Sequence, residues 1–185
     1  MKEHGVLNRC LLLYEESLRR LERKEEIPPD AFHHTADLIR LFVEEYHERN
    51  EETYIFPEFR RAGKLRDLVE TLQRQHRAGR RLTSEILRLS RPDPYRSPQN
   101  RRRISRLCRQ FIRMYRPHEA REDTVLFPAL RTLLSPSHVE RLGERMEEEE
   151  HKVLGEEGFE RTVEKVATLE KKLGIYVLEQ FTPRV

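Results

Sequence analysis

A chain of 185 residues is long enough for one domain with a real hydrophobic core and too short for two of typical size. Apolar residues make up 36% and charged residues 37%, Trp is absent and Gly is sparse, which suits amphipathic helices and predicts an all-α fold. The formal charge of +3 is small against 36 basic and 33 acidic residues, so it argues for no nucleic-acid partner, and Arg101-Arg102-Arg103 reads as solvated helix surface. Cys10 and Cys108 are too few and too far apart for a zinc site or a disulfide framework and read as reduced, partly buried thiols. No apolar run approaches the ~20 residues that span a bilayer, and Met1-Lys2-Glu3-His4 lacks a signal peptide's apolar segment. No membrane partner and a cytoplasmic location are the expectations.

The first helix, over residues 2–24, carries one apolar stripe: His4, Leu7, Leu11, Tyr14, Leu18 and Leu21. Pro28-Pro29 ends it, and Asp30 can cap the next. The second helix, about 31–62, has the stripe Phe32, Ala36, Ile39, Val43, His47, Glu51 and Tyr54, and Gly63 closes it. A third, about 65–90, runs Leu65, Val69, Leu72, His76, Gly79, Thr83 and Ile86. Three prolines between Arg91 and Pro98 predict a surface loop that splits the domain into halves. The fourth helix, about 99–134, carries Ile104, Leu107, Phe111, Met114, His118, Glu122, Val125 and Ala129, and Pro117 and Pro128 predict kinks. After Ser135-Pro136-Ser137 a very acidic helix runs to about 173, with Val139, Leu142, Met146 and Val153 as a thin apolar edge. The expected organisation is an antiparallel up-down four-helix bundle over 1–134, with a C-terminal helical extension over 135–185 packed on its outside.

Four histidines and two glutamates therefore fall where the helical period demands burial, and a buried ionised carboxylate costs several kcal/mol unless it is paired or binds a cation. Each HxxxE pair spans i to i+4, ~40° apart around the helix and ~6 Å along it, so both side chains aim at one place in the core. The motif is repeated. His47-Glu48-Arg49-Asn50-Glu51 leading to Phe56-Pro57 is matched by His118-Glu119-Ala120-Arg121-Glu122 leading to Phe127-Pro128, with the proline ten residues after the histidine in both. A lone histidine precedes each unit, His4 by 43 residues and His76 by 42. Folded antiparallel, the two hairpins would bring these ligands to a pseudo-twofold axis, one metal per half with the glutamates between them. Imidazole and carboxylate without thiolate suit iron, manganese or zinc, and two bridging carboxylates favour a redox-active pair, which puts iron first.

At these residues the sequence resembles the hemerythrin-like, HHE cation-binding family, over about residues 1–134. The resemblance implies that His4 and His47 bind one iron and His76 and His118 the other. Glu51 and Glu122 would then bridge the two iron ions together with an oxo or hydroxo group. The invertebrate oxygen carriers of that family have a further histidine one turn after the third-helix ligand, where this chain has Arg80. Their last motif is HxxxxD, a spacing that His118 to Asp123 satisfies. Glu122 is preferred here because the repeat and the i+4 face both select it, while Asp123 should point aside. Glu48 reads as a surface charge, with ligand switching, as in a related iron-sensing domain, as its alternative role. His33, His34 and His138 lie off the seams, and His151 belongs to a solvated face unless it forms a lid. Tyr14, Tyr46, Tyr54 and Tyr115 read as packing. His4, in the first turn of its helix, is the ligand expected to be loosest.

Two irons with an open position would bind or reduce a small ligand: oxygen, nitric oxide or hydrogen peroxide. One alternative is an iron or oxygen sensor or store whose acidic last helix changes order with metal. Another is a stress enzyme that dismutates peroxide or reduces nitric oxide. The related iron–sulfur repair proteins carry an N-terminal segment with paired cysteines that this sequence does not contain.

Overall fold

The computed structural model describes residues 2–183, and every regular element among them is helical. Helices α1 (Lys2–Arg23), α2 (31–62), α3 (Arg66–Leu89) and α4 (98–133) form an antiparallel bundle in which each packs against its two neighbours in chain order, α4 closing back on α1. Two further helices, α5 (Pro136–Leu154) and α6 (Gly158–Lys172), lie on its outside against α1 and α2. Among the described residues, no helix is long and apolar enough to cross a membrane.

The sharp α2–α3 turn rests on Gly63, whose φ of 67° is left-handed. Gly63 N–H donates to the Arg60 carbonyl and Lys64 N–H to that of Phe59, the paired bonds of a glycine C-terminal cap. Leu65, expected on the α3 stripe, instead sits in this turn with positive φ and is exposed. The proline-rich link to α4 is not all loop, because Pro92–Arg96 makes one helical turn. Proline is tolerated in a first turn, where its missing N–H would have had no partner. Asp30 stands at the N-cap of α2 without capping it; its carboxylate holds His34 at 3.0 Å and Lys172 of α6 at 3.2 Å.

The C-terminal extension is two helices rather than one, broken where Gly155 and Glu157 both take positive φ. Leu142 is buried, Val139 and Met146 are half-buried, and Val153 is exposed. Most of the anchoring comes from α6: Val166, Leu169 and Leu173 are buried, Arg9 grips Glu170 through two bonds of 2.8 and 2.6 Å, and Arg20 donates to the Leu173 carbonyl. This second contact surface explains why α1 buries Val6, Cys10, Leu13 and Ser17 beyond its predicted stripe. In α4 the buried line runs through Ile104, Cys108, Phe111, Tyr115, His118, Glu122 and Leu126. Leu107, Met114, Val125 and Ala129 lie at its margin. Both thiols are fully buried, more deeply than expected.

Two apolar clusters fill the interior. One joins the first three-quarters of α1 to the start of α2, the end of α3, the start of α4 and α6. The other gathers Ile55, Phe56, Phe59, Val69, Leu72, Leu126, Phe127 and Leu130, with Met146 of α5 against it. Between them on α2, α3 and α4 lies the layer that holds the polar seam residues.

Candidate metal centre

The backbone changes form where the polar seam residues begin. Residues 39–47, 51–55 and 122–126 are π-helical, so the second and third of these stretches start on Glu51 and Glu122. The Phe-Pro markers explain the repeat. Pro57 and Pro128 have no N–H to give, and their rings crowd the carbonyl four residues back. The helix widens upstream, and Phe56 and Phe127 N–H reach back five residues to the Glu51 and Glu122 carbonyls. Pro117, in contrast, lies inside a helix that continues through it as α-helix to Arg121.

All six residues that the sequence singles out converge. Nε2 of His4 lies 3.1 Å from Nε2 of His47, and Nε2 of His76 lies 3.2 Å from Nε2 of His118. Glu51 Oε2 stands 3.7 Å from His47 and 3.5 Å from His76. Glu122 reaches His4 at 3.4 Å through Oε2, and His118 at 3.0 Å and His76 at 3.9 Å through Oε1. Each carboxylate therefore faces histidines of both hairpins. His4 is as buried as the rest, at 2% exposure, and not frayed.

The electrostatics show how ill-suited this layer is to being empty of positive charge. Burial pushes the Glu51 carboxyl well above the usual carboxylate range, and the nearby Glu122 charge adds to it. Burial acts on Glu122 in the same sense, but its contacts with His118 and His4 outweigh it and hold the carboxylate ionised. His47 is lowered to about 3, first by burial and then by the charge of His4. For His4 the burial is overcome by Glu122 and Asp123, and its pKa rises. In the metal-free chain the pKa values of the two closely placed carboxylates are thus pushed apart, Glu51 upward and Glu122 downward. Both oxygens of each lack a hydrogen-bond partner although buried. An unsatisfied buried polar atom costs ~1–3 kcal/mol, and more when charged.

Around this layer the structure corrects several expectations. Glu48 is not a surface charge: it is 1% exposed, accepts a hydrogen bond from the Tyr115 hydroxyl and pairs with Arg80 at 3.0 Å, and burial raises its pKa to about 8. Arg80 also holds Glu52 at 3.0 Å, so its guanidinium supplies the positive charge for the Glu48, Glu52 and His76 cluster. Asp123 does not simply point aside, since its Oδ1 stands 3.0 Å from His4 Nδ1. Glu119, the repeat partner of Glu48, is likewise buried, hydrogen-bonded by Asn8 and raised to about 7 by burial. Glu52 and Gln75 accept from Nδ1 of His76 and His118 at 3.0 and 2.8 Å. The signal for Glu48 and Glu119 was present in the repeat, which reads HExxE in both copies.

His34 and His151 lie toward solvent; His138 is half-buried, 3.6 Å from Glu58, and His33 is half-buried and bonded to Ser90 at 3.0 Å. Tyr14, Tyr46 and Tyr115 are buried, and Tyr54 is half-buried. A surface cleft of about 650 Å³ between α2 and α6 contains none of the six. A smaller one of about 320 Å³, lined by Arg40, Glu44, Arg49, Glu52 and Arg80, reaches the outer side of His76 through Glu52.

Residues 1–95 match the family model described as the Hemerythrin HHE cation binding domain. The chain belongs to the hemerythrin HHE family. The hemerythrin match ends at Tyr95 and so includes His4, His47, Glu51 and His76, while His118 and Glu122 lie beyond it. Uncharacterized proteins of two Mycobacterium tuberculosis strains and of Mycobacterium bovis are 46% identical over 183 residues, 99% of this chain and 72% of theirs. No solved structure matches. Membership makes this a metal-binding protein, and the residues present fit a cation. Two groups of facing donors, His4, His47, Glu51 and Glu122 on one side and His76, His118 and Glu122 on the other, could each hold one.

Proposed function

We propose that this hemerythrin is a non-haem di-iron protein that binds or reduces a small ligand, oxygen, nitric oxide or hydrogen peroxide. His4 and His47 would hold one iron, His76 and His118 the other, with Glu51 and Glu122 between them. The observation that carries the reading is the set of four buried carboxylate oxygens that lack an aligned hydrogen bond and stand against two facing pairs of imidazole nitrogens. Donors of imidazole and carboxylate suit iron, manganese or zinc, and shared carboxylates favour a redox pair. Iron would supply electron exchange with the ligand. The chain's contribution is to hold the donors in place, to exclude bulk water through the apolar clusters above and below, and to keep the Tyr115 hydroxyl and Glu48 as a buried proton-bearing pair beside His118.

Loading with ferrous iron and adding peroxide under anaerobic conditions tests the turnover half of this reading. Oxygen release in proportion to peroxide consumed supports dismutation. A spectral change that saturates with no release supports binding alone, and no response to peroxide, or to oxygen or nitric oxide added in its place, contradicts both.

A sensor is the second reading, favoured by the placement of α5. That helix packs directly on the 39–47 stretch that ends at His47, yet buries only Leu142 and Glu150. Its polar ties are Glu150, which accepts from the Tyr46 hydroxyl at 3.2 Å and pairs with Lys2 at 3.7 Å, and His138, which stands 3.6 Å from Glu58 of α2. A helix so lightly held would loosen when metal leaves. Protease cleavage within α5 that appears on chelation and vanishes on reloading is its expected signature.

A further inference from the structure

The residue that follows each central glutamate is acidic, Glu52 after Glu51 and Asp123 after Glu122. One residue further along a helix is ~100° further around it. When the glutamate faces the centre, the next side chain faces a neighbouring helix. For α2 that neighbour is α3, and for α4 it is α1. These are the helices that carry the two lone histidines. Glu52 Oε1 meets His76 Nδ1 at 3.0 Å with the distance and angle of a hydrogen bond. Asp123 Oδ1 meets His4 Nδ1 at the same 3.0 Å, close in distance though not fully aligned. Each contact crosses from one hairpin to the other.

We propose that Glu52 and Asp123 are positioning residues of the centre, each fixing the lone histidine of the opposite hairpin with its Nε2 turned inward. The inference rests on the di-metal reading. An acceptor on Nδ1 keeps the ring proton there, leaves the Nε2 lone pair for metal, and makes the imidazole a stronger donor when the acceptor is charged. His118, in the second HxxxE unit, is treated differently: its Nδ1 meets the neutral Gln75 amide oxygen. The lone histidines come from α1 and α3, where no second ligand shares their helix. An i+4 partner already constrains His47 and His118, and the carboxylates from across the bundle supply the missing constraint for His4 and His76. The same contacts tie the two hairpins together, which makes the docking of one a condition for the geometry of the other.

The test uses the full chain and the shape-preserving variants Glu52→Gln and Asp123→Asn, with iron affinity from chelator competition, the reduction potential of the bound iron and the melting of the metal-free protein. Each variant is expected to lose one of its two irons ~10–100-fold more readily, and to shift the potential upward as the imidazole becomes less electron-rich. The metal-free melting temperature should stay where it was, and the double variant should weaken both irons. Asp123→Glu and Glu52→Asp, which keep the carboxylate, should recover affinity. If the wild type holds two irons and the amide variants match it in affinity and potential, the positioning role is overturned while the di-metal reading stands. Weakened metal binding that follows a lowered metal-free melting point, and that the carboxylate-retaining variants do not recover, also overturns it. A wild type that binds no iron refutes the di-metal reading itself.

Discussion

Glu51 carries the first consequence at the scale of single residues. Burial, with the Glu122 charge adding to it, raises its carboxyl pKa well above the usual carboxylate range in the metal-free chain. A metal ligand must be deprotonated, so with Glu51 as ligand the raised pKa would oppose loading and couple it to proton release. Metal affinity is therefore expected to rise with pH, and calorimetry in buffers of different ionisation heat should register proton release. Affinity that does not change with pH and no proton release on loading would contradict the assignment of Glu51. The cysteines behave oppositely. Burial pushes Cys10 up to about 12 and Cys108 well above the usual thiol range. Neither should react with a thiol reagent in the folded protein, and both should react on unfolding; rapid native labelling would show that α1 opens. At this scale the six seam residues were legible in the sequence, because the helical period alone places His4, His47, Glu51, His76, His118 and Glu122 inside. The repeated HExxE marked Glu48 without showing that it turns inward, and the Asp123 contact was not legible, because a heptad-like pattern assigns a side chain to a face and says nothing of what the adjacent helix offers it.

Among the elements, the α3–α4 contact depends on one glycine. A Cβ at Gly79 would lie 2.1 Å from the Tyr115 hydroxyl oxygen and 2.9 Å from two ring atoms, so Gly79 makes room for the hydroxyl that donates to Glu48. Gly79→Ala must push Tyr115 out of a closely packed site, an overpacking cost of ~1–3 kcal/mol that outweighs the gain in helix propensity of ~1 kcal/mol. Urea denaturation should read that loss, and a stabilised variant would contradict the packing. The stripe on α3 placed Gly79 correctly without revealing why it was glycine. Likewise Phe-Pro was visible as a marker of the repeat, but not as the cause of a π-helical turn, since the widening depends on which N–H must find a new carbonyl. Gly155 marked a break that the long acidic run concealed, where charge density suggested one continuous solvated helix.

Over the whole molecule, a polar layer between two apolar clusters couples metal to stability. Without metal the layer contains buried oxygens lacking partners, which lowers the stability of the empty bundle. Metal that binds only the folded chain adds ~2.7 kcal/mol when its concentration is a hundred times its dissociation constant. Chelation should lower the melting temperature by several degrees and reloading should restore it; an unchanged melting curve would mean that the layer is stable as it stands. The bundle itself could be read from periodicity, proline and glycine. The seating of the outer helices could not, because α6 is held by pairs such as Arg9 with Glu170 that join residues far apart in sequence. The most direct test of the central claim is the iron content of the purified, reconstituted chain, measured together with its absorption spectrum. Two irons per chain with a ligand-to-iron charge-transfer band, both lost in Glu122→Ala, are the predicted result. A stoichiometric zinc, or a folded bundle that takes up no metal, would contradict it.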